Sequence, residues 1–270
     1  MGQITSLFVH KVIRQVDDGV DKYALLDSVG VDPEAPADPS VMVSAADYYT
    51  YFANAARLDP NGIALPLRTG ASMRCDDYGA FGLAWKTAPT LRASCERAGR
   101  YARVLTSVAT YEVHDDDDGA WMQLNRDGER TLGMRLSNEA TIASIHAISQ
   151  EVATDELEVL EVRLKHAGPD STAQHEAHFG CPVHFSADRD AIKFSKASMA
   201  APNRLGDPAV VSFFDTHLEE QLEKIDDDVS LERRVRIRIS TSLSEGIPAV
   251  TSIASQLGMS GRTLQRRLSE

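Results

Sequence analysis

IASQLGMSGRTLQRRLSE, residues 253–270, decides how the rest of the chain is read. Ile253, Ala254 and Leu257 form a short apolar face at helical spacing. Gly258 supplies the positive φ of a tight turn, Met259 plugs the space behind it, and Ser260 stands where a second helix needs its N-cap. Leu264 and Leu268 then fasten that second helix to the first. Its other face carries Arg262, Thr263, Gln265, Arg266 and Arg267. Two helices crossing steeply need a small residue where they touch, and Ala254 provides one. The spacing predicts a helix-turn-helix whose second helix enters a major groove. There Arg bonds guanine, Gln bonds adenine, and the Ser260 hydroxyl at the helix start suits a phosphate. The plainer alternative is a helical hairpin with a solvated basic face.

The charge balance bears on that choice. The 270 residues carry a net charge of −12, the wrong sign for a polyanion binder. Residues 229–270, however, hold seven Arg against three Glu, leaving the preceding 228 residues at −16. An acidic body with a basic tail is expected where only the tail approaches DNA. Three widely spaced cysteines, Cys75, Cys95 and Cys181, argue against a disulfide framework and for a reducing cytoplasm. No run reaches the ~18 apolar residues of a membrane span, and the first 20 residues lack the pattern of a secretory leader.

Working back from the tail, periodicity predicts helices over 4–16, 22–29 and 45–58, the last behind Ser44 as N-cap. Another spans PTLRASCERAGRYARVL (89–105), capped by Thr90, with Leu91, Cys95, Ala98, Ala102 and Leu105 on one face. SVATYEVH and AWMQLN around the acidic DDDDG read as a hairpin. A long helix over 131–153 follows, then a half-buried strand in LEVLEVRLKH with a slip at Val159. A short helix near 171–179, two short strands in CPVHFSADRDAIKFS and an amphipathic helix capped by Asp207 complete the body. VSLERRVRIRISTSL (229–243) fits a strand or a helix, its length favouring the helix. The expected class is α+β: a mixed α/β ligand-binding domain over 1–225, then an all-α DNA-binding segment over 226–270.

The tail closely resembles the first helix-turn-helix of AraC-type transcription regulators, in the Ala, the Gly turn and the Ser-x-x-x-Leu-Gln-Arg-x-Leu run; Gly261 departs from the Pro of some relatives. TAPTLRASCERAGRYARVL and FGCPVHFSADRDAIKFSKASMAAP resemble that family's branch with an arabinose-binding-type regulatory domain. The resemblance implies a bacterial, cytoplasmic regulator that senses a small molecule and acts as a homodimer, with no cofactor. The family continues into a linker helix and a second helix-turn-helix, which this sequence does not contain. The resemblance therefore implies a truncated chain whose DNA binding is weak and strongly salt-dependent. A ligand-binding module whose tail mediates dimerisation stands as the alternative.

Catalytic and metal chemistry find less support. His175, His178, Cys181 and His184 recur every three residues with His166 upstream, but Phe-Gly-Cys-Pro breaks the helix that would align them as zinc ligands. The resemblance makes Cys181 a packed residue. No nucleophile elbow and no phosphate loop occurs, so an enzyme is not expected. A sensor body needs a concave, largely apolar site with a few polar anchors. The candidate lining is Trp85, Tyr101 and Trp121, with Arg135, Glu139 and His146 from the long helix, Arg135 pairing with a ligand carboxylate.

Overall fold

The computed structural model describes residues 2–34, 38–228, 235, 238, 239 and 248–269. Its first element departs from the helical periodicity of residues 4–16. Ile4 lies in strand β1 (Gln3–Thr5), which pairs antiparallel with β2 (Met42–Ser44), Ile4 opposite Val43. The helix α1 begins only at Leu7 and ends at Gln15. An apolar residue followed by β-branched Thr5 satisfies either pattern, and the long-range pairing decides it. α2 (Lys22–Asp27) is capped by Asp21, whose side chain accepts from Ala24 N. α3 (Ala45–Leu58) starts behind Ser44, which takes the N-cap position without a side-chain bond.

Residues 62–87 carry no clear period in the sequence, yet they build the middle of the body. A 3-10 turn (Gly62–Ala64) leads into α4 (Leu65–Ala71), and a second one (Cys75–Tyr78) into α5 (Ala80–Thr87). α6 (Leu91–Tyr101) is capped by the Thr90 hydroxyl, and its expected apolar face from Leu91 to Leu105 is buried throughout. Then comes the hairpin of β3 (Thr110–Asp115) and β4 (Gly119–Asn125).

The long helix α7 (Leu132–Val152) is capped by Thr131. It is buried on almost every side and so carries polar residues in the interior, where each needs a partner. Asn138 donates to Asp190, which also takes Arg130 and the Lys165 amide. Gly70 lets α4 cross α7 closely: a Cβ there would lie 2.4 Å from Ala143 Cβ and 2.6 Å from the Ala140 carbonyl.

β5 (Val159–Arg163), α8 (Ala173–Phe179), β6 (Val183–His184), β7 (Asp190–Ser195), α9 (Lys196–Ala200) and α10 (Pro208–Asp228) follow. β5 bears the register shift expected at Val159. The five-stranded sheet has the order β3-β4-β7-β5-β6, antiparallel except for the parallel β5–β6 pair. Asp207 caps α10 through bonds from Ala209 N and Val210 N. The body is thus α+β, as the sequence indicates.

The chain divides into two compact units, residues 1–218 and 219–270. Most of the ambiguous segment 229–243 lies outside the described residues; within it Val235, Arg238 and Ile239 are helical. The second unit contains α11 (Val250–Gln256) and α12 (Gly261–Ser269). Ile253, Ala254, Leu257 and Leu264 form its core, with Val235 and Met259 against it. The spacing puts Leu268 in the same core, but the core closes on Leu264; one turn further on, Leu268 is 37% exposed.

Candidate functional site

Inside the first unit the helices and the hairpin enclose a cavity of about 50 Å³. Phe8 of α1 and Tyr48 of α3 form one wall. Thr69, Met73, Tyr78, Phe81 and Trp85 bring α4, α5 and the turn between them. Ala98, Ala102, Leu105 and Thr106 come from α6 and the residues after it, and Tyr111 and Met122 from one face of the hairpin. α7 closes the cavity with Ser137, Ala140, Thr141, Ser144, Ile145 and Ile148.

No lining residue is Asp, Glu, Lys, Arg or His. Burial pushes the Tyr48, Tyr78 and Tyr111 phenols above their ordinary range, so all three remain neutral at any ordinary pH. Most lining hydroxyls are already engaged. Tyr78 and Ser144 bond each other, and Thr106 donates to the Gln3 carbonyl. Ser137 accepts from Arg126 at 2.5 Å, and Thr141 donates to the Ser137 carbonyl. Two polar atoms are different: the Trp85 indole Nε1 and the Thr69 hydroxyl are buried without a hydrogen-bond partner.

Of the six residues that the sequence suggests as ligand contacts, the structure brings only Trp85 to this cavity. Trp121 lies on the opposite face of β4 from Met122. Its ring sits under Arg163, Arg189 and Lys193, at 4.7, 5.6 and 5.3 Å, and its Nε1 donates to Asp116. Tyr101 is fully buried, with the Arg100 guanidinium over its ring. Arg135 bonds the Arg130 carbonyl, so it is not placed to meet a carboxylate in the cavity.

Glu139 and His146 belong to another side of α7. The Glu139 Oε2 pairs with His175 Nε2 at 2.9 Å, while His166 Nε2 lies 2.8 Å from Oε1 at an angle too poor for a hydrogen bond. His146 meets Gln150, His178 and Phe179. α8 ends at Gly180, in a left-handed conformation, which turns Cys181 away from the helical row of histidines. Cys181 is buried, and that burial pushes its thiol up to about 11. Among the described residues no cluster of three His, Cys, Asp or Glu side chains is arranged to hold a metal.

The sequence does carry a quiet signal for the cavity. Ser137, Thr141, Ser144 and Ile148 recur at spacings of four, three and four along α7. Small and hydroxyl-bearing residues on one stripe mark a helix face that leaves room. The larger charged residues nearby mark a face that is filled by partners.

In the second unit, Ser260 caps α12 through Thr263 N at 3.2 Å, and its hydroxyl also bonds that of Thr263 at 2.8 Å. Gly258 has φ +69°, the conformation expected of the turn. Arg262, Gln265, Arg266 and Arg267 are exposed, and Thr263 is half-buried. Arg262, Arg266 and Arg267 lie on a helix that carries no acidic residue among its described side chains.

Among the described residues no helix is long and apolar enough to cross a membrane. None of the curated proteins compared with the chain matches it. A solved structure, that of the transcriptional regulator CdpR from Pseudomonas aeruginosa, superposes with a TM-score of 0.55 at 19% identity. It covers 97% of this chain and 78% of that one, a likeness of fold. The family model described as the arabinose-binding domain of AraC transcription regulators, N-terminal, matches residues 19–203, a span that includes every cavity residue except Phe8. The chain belongs to the AraC-type transcription regulators that carry this N-terminal domain.

Proposed function

We propose that the chain is a ligand-responsive transcription regulator in which residues 1–225 sense a small molecule and residues 226–270 contact DNA. The effector occupies the cavity between α7, α4–α6 and the β3–β4 hairpin, with Trp85 among the residues it touches. α12 enters the major groove through Arg262, Gln265, Arg266 and Arg267, with Ser260 and Thr263 at the phosphates. One observation carries the DNA reading. A helix packed by Leu264 against α11 turns three arginines and a glutamine to solvent, on a chain whose remainder is strongly acidic.

One helix of this size engages few phosphates, so the share of the affinity that α12 supplies is small and falls steeply with salt. Pairing of two chains would double the number engaged, and a homodimer belongs to the same proposal; light scattering checks it. Fluorescence anisotropy on labelled duplex, run as a salt series, tests the DNA reading. Arg262→Ala with Arg266→Ala is expected to lower the slope of log affinity against log salt by about 2, about 1 for each phosphate left without its arginine. An unchanged slope would leave the tail as a helical interaction element.

A further inference from the structure

The proposed effector site also constrains what can fill it. We propose that the cavity takes an uncharged, largely apolar molecule of about one ring, bearing a single oxygen acceptor such as a carbonyl. This rests on the reading of the cavity as the effector site.

Three observations converge. First, the wall is made of aromatic, aliphatic and small residues without one ionisable carboxylate, amine or imidazole. A charged ligand would lose its hydration there and gain no counter-charge. The Arg126 guanidinium stands behind the wall, not in it, with its terminal nitrogens spent on Ser137, Asn138 and Thr141. Second, two of the lining residues carry a polar atom buried without a hydrogen-bond partner, the Trp85 indole N–H and the Thr69 hydroxyl. The indole can only donate, and the hydroxyl can rotate to donate. Leaving both buried without a partner is unfavourable, and a ligand oxygen would remove that cost. A sugar would bring a hydroxyl on nearly every carbon and find most of them unanswered, because most of the remaining lining hydroxyls already bond within the protein. Third, the cavity of about 50 Å³ is below the ~150 Å³ that holds a benzene molecule. The ligand is therefore small, and seating one ring needs side chains to move. Met73 and Met122, unbranched and adaptable, are the lining residues suited to that movement.

Isothermal titration of the full chain with four probes tests the assignment. Acetophenone is neutral with one carbonyl, ethylbenzene matches it without the acceptor, benzoate carries a charge, and L-arabinose presents a sugar. Acetophenone is expected to bind best and ethylbenzene next, with benzoate and L-arabinose giving no saturable heat. Trp85→Phe, which keeps an aromatic body and deletes the N–H, should weaken acetophenone by about three- to tenfold and leave ethylbenzene within about twofold. Ala140→Leu, and Ala98→Met as a second block, fill the cavity and should abolish binding of both while the chain still melts cooperatively.

Acetophenone binding that survives both blocking substitutions would overturn the cavity as the site, and with it the effector reading above. Benzoate or L-arabinose binding more tightly than acetophenone, and abolished in the blocked variants, would keep the site and overturn the neutral, apolar class. No binding by either neutral ring compound would overturn that class as well.

Discussion

Glu139 on α7 and His175 on α8 meet through Oε2 and Nε2 at 2.9 Å, both side chains buried. Burial alone would raise the Glu139 carboxyl, but His166 and His175 outweigh it and hold it below the ordinary range. An acid depressed in the folded state contributes stability above its unfolded pKa and loses it as pH falls through the folded one. Glu139→Gln is therefore expected to cost about 3 kcal/mol at pH 7. The gap from the parent should narrow as pH falls below about 4.5. Urea melts at a series of pH values measure it, and a gap independent of pH would contradict the depressed Glu139 carboxyl.

His146 gives a second, separable window. Burial pushes it down to about 4, with His178 adding to the effect. The unfolded chain binds the proton at a higher pH than the folded one does. Stability is thus full above about 6.5 and drains between there and about 4, by about 3 kcal/mol in all. His146→Phe keeps the packing against Phe179 and removes the titration. The melting temperature of that variant should fall less than the parent's between pH 7 and pH 4.5; parallel curves would exclude His146 as the cause.

Arg97 grips Asp215 with two bonds, Nε to Oδ1 at 3.1 Å and Nη2 to Oδ2 at 2.8 Å, joining α6 to α10 in a partly buried position. Paired geometry of this kind is worth more than a single exposed ion pair. Arg97→Ala should cost about 1–2 kcal/mol and quicken amide exchange along residues 208–218. Unaltered exchange there would show α10 to be held by its apolar packing alone.

The turn at Gly258 supports α12. An added side chain at φ +69° has no clash to relieve, since nothing lies within 4 Å, but the left-handed backbone itself is strained. Gly258→Ala should weaken the second unit by about 1 kcal/mol. Leu264→Ala, which empties its small core, should cost about 2–3 kcal/mol. Limited proteolysis within residues 248–269 reads both, and the Leu264 variant is expected to be cut faster.

Local chemistry makes much of the fold legible. Thr90 and Asp207 announce helix starts because a hydroxyl or carboxylate one residue ahead of an apolar period has a specific job. Ile4 fits a helical period but sits in a strand, because pairing with Val43 is a long-range event that periodicity does not see. Residues 62–87 escape for a related reason: short helices buried on several sides have no polar face to set their period. Charge draws attention to Arg135, Glu139 and His146, which bond other groups away from the cavity, whereas Trp85 lines it and carries the unmet bond.

The close crossing of α4 on α7 at Gly70 bears on how the body can respond to an occupant. Backbone meets backbone there, so this corner has no slack and works as a fulcrum. A molecule larger than the resting cavity has to gain its room on the far walls, at Met122 and Tyr111 of the hairpin and along α5. On the proposed reading an occupant presses on the hairpin sooner than on this corner, and an early change in amide exchange along β3 and β4 on ligand binding is the expected sign of it.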